Sequence, residues 1–377
     1  MTQIDRRTPD RPRPETVVRH YLPGGLEQGG GIGRLVGHIV TAPDQVGRHR
    51  VRDTRGPRWR PVRSGVALAG AMAVLIWDRL TCPARVQHIH VAGRGSTARK
   101  LLLTGLARAI GQPYLLHLHD FDYAADFLRR PAWQRRAVQR MFRAAERVIV
   151  LGARDRTTAL DLLGVRPDRA VILRNAIPDP GPPGLRDDQT CRIVFLGQLG
   201  ARKGVPELLA ALADPAMARL PWMATLAGDG PVAAFRTDAA GLGLQTRVTI
   251  PGWISGPQSR QLCAAGHILV LPSHGEGMAM AVIEGLAHGM AVVTTPVGAH
   301  PEVLSDGQTC LFVPPGDAAA LAGALGRLIT DHELRLQVSR AGRALYLSQM
   351  EMGRYVRALD ALYHALSTQS AQQQVAA

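Results

Sequence analysis

Short, continuously apolar runs closed by glycine, proline or a polar cluster recur along the chain, with longer mixed segments between them. Thr16–Leu22, His88–Val91, Tyr114–Leu118, Val148–Leu151 and Ala170–Leu173 are too short for helices. They lack the alternation of a strand with one wet face, so they read as buried parallel strands separated by helices. A second series of the same kind begins at Ile193. Two successive βα alternations predict an α/β chain of two doubly wound domains, with ligands taken where the strands end. The domains are expected at 16–177 and 192–347, joined by a linker over 178–191 that carries Pro178, Pro180, Pro182 and Pro183. Residues 1–15, polar and rich in Arg and Pro, are expected to form a disordered leader, and Ser348 to His364 has helical composition.

The most informative chemistry follows the run His267–Pro272, where the chain reads Ser-His-Gly-Glu-Gly-Met-Ala-Met before a helix expected over about Ala279–His288. Glu276 falls in a glycine-rich turn and Glu284, eight positions on, inside the helix. A helix that opens after a strand presents unpaired N–H groups suited to a diphosphate, and Gly275 and Gly277 let the backbone come close. Carboxylates repel phosphate, so the expected partners of Glu276 and Glu284 are hydroxyl groups on a transferred sugar and on a ribose. A glutamate on a wet helix face is the plainer alternative, but Glu284 interrupts an apolar helix, where an unpaired carboxylate is costly.

The spacing resembles the Glu-x7-Glu motif of retaining glycosyltransferases with two Rossmann-like domains, the GT-B fold, in the group numbered family 4. Four further segments are similar in order: Ile193–Gly204, Leu226–Pro231, Val248–Trp253 and Val292–Gly298. The resemblance implies transfer of a sugar from a nucleoside diphosphate to a polysaccharide or lipid-linked acceptor, with the segment after about 348 crossing back onto the first domain. It places Lys203 and Arg202 on the leaving phosphate, Glu276 and His119 on the donor sugar, and Glu284 on the nucleotide. It also places Gly277, Met278, Ala279, Met280, Gly228, Gly230 and Trp253 on the donor, with Gly31 and Gly33 approaching the diphosphate from the other domain. His117 is the alternative to His119, and His90, Arg94 and Asp120 fall on the acceptor side. It further implies that the leaving phosphate takes the acceptor proton, and the first half looks most like bacterial enzymes of exopolysaccharide or O-antigen assembly. Two departures stand out: Gln198 follows Gly197 where many relatives carry arginine, and the usual proline near Met278 is missing. A same-fold sugar-nucleotide 2-epimerase and a degenerate, non-catalytic sugar-nucleotide-binding subunit are the competing functions.

Composition adds limits. There is no Asp-x-Asp pair to hold a divalent ion, so metal-independent transfer with no cofactor is expected. Four dispersed cysteines and the absence of an apolar leader point to the cytoplasm. The net charge of +15 comes with lysine only at Lys100 and Lys203, leaving 43 of the 45 basic residues as arginine. Arg58, Arg60 and Arg63 precede the apolar run Ser64–Trp77, which reads either as a buried helix or as an interfacial helix on an anionic membrane, and no nucleic-acid partner is expected. The Arg-rich stretch Trp133–Arg147 belongs to the same face or is a solvated helix surface. Asp53, about 20 residues beyond Gly29–Gly33, raises a dinucleotide alternative. That alternative is set aside because Arg48–Arg52 does not look like an apolar strand.

Overall fold

The computed structural model describes residues 17–43, 47–187 and 189–375, so the leader at 1–15 lies outside the described residues. The strands are β1 (Val17–Leu22), β2 (Arg48–Asp53), β3 (Val86–Val91), β4 (Tyr114–Leu118), β5 (Arg147–Val150), β6 (Ala170–Ile172), β7 (Cys191–Leu196), β8 (Trp222–Ala227), β9 (Val248–Gly252), β10 (Ile268–Leu271), β11 (Ala291–Thr294) and β12 (Leu311–Phe312). They make two six-stranded sheets, ordered β2-β1-β3-β4-β5-β6 and β12-β11-β10-β7-β8-β9. The strand pairings within each sheet are parallel. This is the two-domain Rossmann-like arrangement of the GT-B fold, as the double alternation predicts.

β2 differs from expectation. Arg48–Arg52 does form a strand, paired with β1 from Val17↔Arg48 to Leu22↔Asp53. As the edge strand it exposes Arg48 and Arg50 while half-burying His49 and Val51, so it needs no apolar run. Asp53 nonetheless is not a ribose ligand here. Its Oδ1 accepts from Gly24 N at 2.8 Å and Arg55 N at 2.7 Å, and its Oδ2 from Gly56 N at 3.0 Å, which spends the carboxylate on loop closure.

The apolar run near 64–77 is part of a longer helix, Pro61–Thr81, of 21 residues. By length and composition it could cross a membrane. Its inner stripe of Ser64, Leu68, Ala71, Leu75 and Asp78 is instead buried against the domain. Asp78 is bound by Arg19, with Nη2 to Oδ1 at 2.8 Å, and by Arg85. Removing one partner of such a buried pair costs about 3–5 kcal/mol, which commits this face to the protein.

The chain is tied down just before the expected linker. Ile177 N donates to Met350 O at 3.2 Å, and Met352 N donates back to Ile177 O at 3.0 Å, so both chain crossings between the domains are locked side by side. The crossing helix begins at Met352, later than the sequence indicates, because His332–Gln349 still packs on the second domain. Met352, Tyr355, Val356, Leu359 and Tyr363 then join Val18, Leu35 and Ile39 in a core cluster of the first domain.

Candidate active site

A cleft of about 910 Å³ lies between the domains. Its walls are the residues just beyond the carboxyl ends of β3, β4 and β5 on one side and of β7, β8, β9 and β10 on the other. The helices Gly30–Thr41 and Met280–Ala287 both open toward it, so two helix N-termini with their partial positive charge flank the space.

On the second-domain side, Lys203 and Arg202 are carried by a short turn after β7, ending at Gly204. Gly204 has φ 71°, and a Cβ there would fall 2.1 Å from Pro272 O, so glycine alone lets this turn lie against the β10 loop. Lys203 Nζ donates to Glu276 Oε1, and Arg202 Nη1 stands 3.6 Å from the same oxygen. Arg202 also donates to Gly275 O at 3.0 Å and lies 5.4 Å from the Phe121 ring of the first domain. Glu276, the two cations and an aromatic ring of the other domain thus form one buried-edge cluster. Trp253 is 72% exposed at the cleft, which leaves its face free for stacking and makes it no part of the core.

On the first-domain side, His119 sits one residue past β4, and its N–H donates to Val91 O at 2.9 Å. It lines the cleft, whereas His117, two residues earlier on the same strand, is fully buried. Burial pushes the His119 imidazole down to about 3. Arg94 also reaches the cleft, with φ 55°, the one positive φ among described non-glycine residues, a strained position that its loop must hold in place.

Of the residues the sequence singled out, the cleft brings together Glu276, Lys203, Arg202, His119, Gly31, Gln198, Gly228, Trp253, Gly277, Met278, Ala279, Met280, Arg94 and Asp120. Four stand off it. Gly33 is packed under the preceding turn, where a Cβ would meet Leu26 O at 2.7 Å. Gly230 is a backbone contact of Leu199, with φ 130°. His90 is buried inside β3 behind His119. Glu284 is buried and bound by Arg34 of the first domain, and burial raises its pKa against the opposing pull of that guanidinium.

Two residues on the cleft hold its walls. Asp120 accepts from Gly93 N at 2.6 Å and Asp122 N at 3.0 Å, so its carboxylate organises the loops. The Ala279 N–H is 3.4 Å from His300 Nε2 and is not a free donor.

The sequence reading missed Asn175, near the end of the first domain. Its Nδ2 donates to Met278 O at 2.8 Å, bracing the glycine-rich turn from across the cleft. It also missed the Arg174–Glu302 pair, 2.9 Å apart, which ties the domains together. Neither carries a local signal, because each takes its meaning from a partner more than 100 positions away.

Residues 190–331 match the family described as Glycosyl transferases group 1. Alpha-D-kanosaminyltransferase of Streptomyces kanamyceticus is 27% identical over 72% of this chain and 76% of its own length. Among solved structures, sucrose-phosphate synthase from Thermosynechococcus elongatus superposes with a TM-score of 0.74 at 17% identity, over 93% of this chain and 99% of that one. Anabaena Alr3699/HepE, solved in complex with UDP, gives 0.70 at 17% identity over 93% and 100%. The chain is a glycosyltransferase with the GT-B fold. Neither the epimerase nor the non-catalytic reading is favoured by these relatives.

Proposed function

We propose that the protein transfers a sugar from a nucleoside-diphosphate donor to a polysaccharide or lipid-linked acceptor, with retention of anomeric configuration and without a metal. The observation that carries this is the cluster of Lys203, Arg202 and Glu276 at the strand ends, between two helix N-termini. As the bond from the anomeric carbon to the diphosphate breaks, negative charge grows on the leaving oxygen, and fixed cations in a partly closed cleft stabilise it. Lys203 and Arg202 supply those cations. Glu276 holds both in place and offers its carboxylate to sugar hydroxyls. Trp253 provides a surface for the base. Glu284 stands behind the cleft wall, paired with Arg34, and its Oε2 is buried with no hydrogen-bond partner among the described residues.

The site of action in this reading is the cytoplasmic face of a membrane. The helix Pro61–Thr81 keeps Val62, Val66, Ala69, Ala73, Ile76, Trp77 and Leu80 exposed along its outer face, with Trp59 beside its start. Their spacing makes one continuous apolar stripe, and Arg58, Arg60 and Arg63 flank it, as a helix lying in an anionic interface requires.

A panel of nucleotide sugars tested by thermal shift, followed by transfer assays with lipid-linked acceptors, checks the donor. Stabilisation by one nucleoside-diphosphate sugar and its consumption with acceptor are expected. No stabilisation by any donor contradicts the assignment. Co-sedimentation with anionic vesicles checks the surface, and binding unaffected by Trp77→Ser with Val66→Ser contradicts it.

A further inference from the structure

Six histidines of the first sheet meet as a row of rings: His20, His49, His88, His90, His117 and His119. The strand register explains why three of them converge beside the cleft. His90 of β3 is the Cα partner of His117 in β4. His119, two positions beyond His117, falls on the same side of the sheet. The His117 and His119 rings stack with centroids 3.9 Å apart, and the His90 ring lies 5.4 Å from the first and 5.1 Å from the second. One ring nitrogen from each of the three lies within 4.8 Å of the other two.

Three converging imidazoles match the ligand set of a borderline divalent metal, which takes nitrogen at about 2.0–2.1 Å in a tetrahedron and so holds its ligand atoms about 3.3 Å apart. Side-chain rotation suffices to reach that spacing. His117 gives a second, independent sign. It is fully buried, and neither ring nitrogen has a partner among the described residues. A buried polar group left unpaired costs about 1–3 kcal/mol, which a bound metal offsets by taking one of these nitrogens. His90 turns Nδ1 toward His119, while its Nε2 lies 3.1 Å from His20 Nδ1, the outer hydrogen bond that orients a metal-binding imidazole. All three ligand atoms are nitrogen, so Zn²⁺ and Co²⁺ fit the site and the oxygen-seeking Mg²⁺ does not. The neighbouring group His20, His88 and His90 is fully buried, and His88 Nδ1 is already 2.7 Å from Tyr363 Oη. The first group reaches the cleft through His119, which gives a metal its way in.

We propose that His90, His117 and His119 form a zinc-class metal site in the first-domain wall of the cleft, with the fourth position open to the cleft, and that a metal bound there inhibits the enzyme. The cation holds the His119 ring, which in the metal-free protein faces the donor sugar. Sugar transfer itself uses no metal, and the site acts as a brake on it. The brake rests on the transferase reading; the metal site does not.

The test starts from the full chain treated with chelator and then freed of it. Titration with Co²⁺ is expected to give the visible spectrum of tetrahedral cobalt at one metal per chain, displaced by Zn²⁺ and untouched by excess Mg²⁺. His117→Leu should lose that spectrum. X-ray absorption at the zinc edge of the wild type should count three imidazole ligands, a result that does not depend on how the variant folds. An octahedral cobalt spectrum, the same spectrum in folded His117→Leu, or fewer than three imidazoles on zinc overturns the site, whether or not any donor is turned over. In the transfer assay, free Zn²⁺ at about ten times its Kd should lower wild-type turnover about tenfold, with recovery on adding chelator. In His117→Leu the ratio of rates with and without Zn²⁺ should stay near one. Zinc bound by the three histidines with turnover unchanged refutes the brake. Failure of the chelator-treated protein to turn over any donor bears on the transferase reading and leaves the cobalt and zinc-edge results to decide the site.

Discussion

The two sheets share a topology and differ in what they bury. The second encloses an apolar core of Ile193, Val194, Phe195, Leu269, Val270, Val292 and Val293, and among the described residues its strands carry no buried charged side chain or histidine. The first sheet encloses the histidine row, and the domain around it buries Lys100 and the Arg19–Asp78 pair. Burial lowers Lys100 to about 7, and its Nζ donates to Thr54 Oγ1 at 2.6 Å. An apolar sheet is a rigid frame that presents chemistry at its rim. A sheet with polar groups inside gives up stability to keep them there.

The largest expected effect lies at the rim of the second domain. Lys203→Ala and Glu276→Ala should each lower transfer by about 10²–10³ or more with an unchanged circular dichroism spectrum, since Lys203 stabilises the leaving phosphate and Glu276 holds that cation in place. Near-normal turnover in either variant would remove the cluster from the mechanism.

Acid should separate the domains next. Burial lowers His49 and His38 to about 4 and His119 to about 3, from an unfolded value of 6.5. Between about pH 6.5 and 4 the unfolded chain therefore binds more protons than the folded one, and stability falls as pH falls. Each such histidine contributes about 1.4 kcal/mol per pH unit while it titrates. Denaturant melts across this range should show the first domain failing first; a first domain as acid-resistant as the second contradicts the contrast.

His117 gives a smaller effect of opposite sign. Neither of its ring nitrogens has a partner among the described residues, although it is fully buried. His117→Leu removes two stranded polar atoms at similar volume and should stabilise the fold by about 1–2 kcal/mol in denaturant titration. Destabilisation would mean that His117 is paired in solution. The smallest change is expected from Gln198→Arg, which adds a cation beside Lys203 and Arg202 and should raise transfer a few-fold, about 1 kcal/mol of added charge stabilisation. A fall in rate would show that Gln198 is suited to this donor.

Much of this was legible in the sequence, and the gaps have physical causes. Buried parallel strands such as Tyr114–Leu118 announce themselves by apolar runs, and that run was bounded correctly. The edge strand β2 was missed because it needs no such run. Glu276, Lys203 and Arg202 could be named because loop chemistry at strand ends is local in sequence. The position of Glu284 against Arg34 could not, because that contact spans 250 positions. The histidine row left a faint trace, a period of two in His88-Ile-His90 and His117-Leu-His119. Its meaning required the register that sets β1, β3 and β4 side by side.

The most direct test follows nucleotide release and product together, with chelator present, using the donor that stabilises the protein. The account predicts one nucleoside diphosphate released for each acceptor glycosylated, with the donor's anomeric configuration kept and the whole reaction lost in Lys203→Ala. Donor conversion to an epimer without acceptor, or no consumption of any donor by the folded wild type, would contradict it.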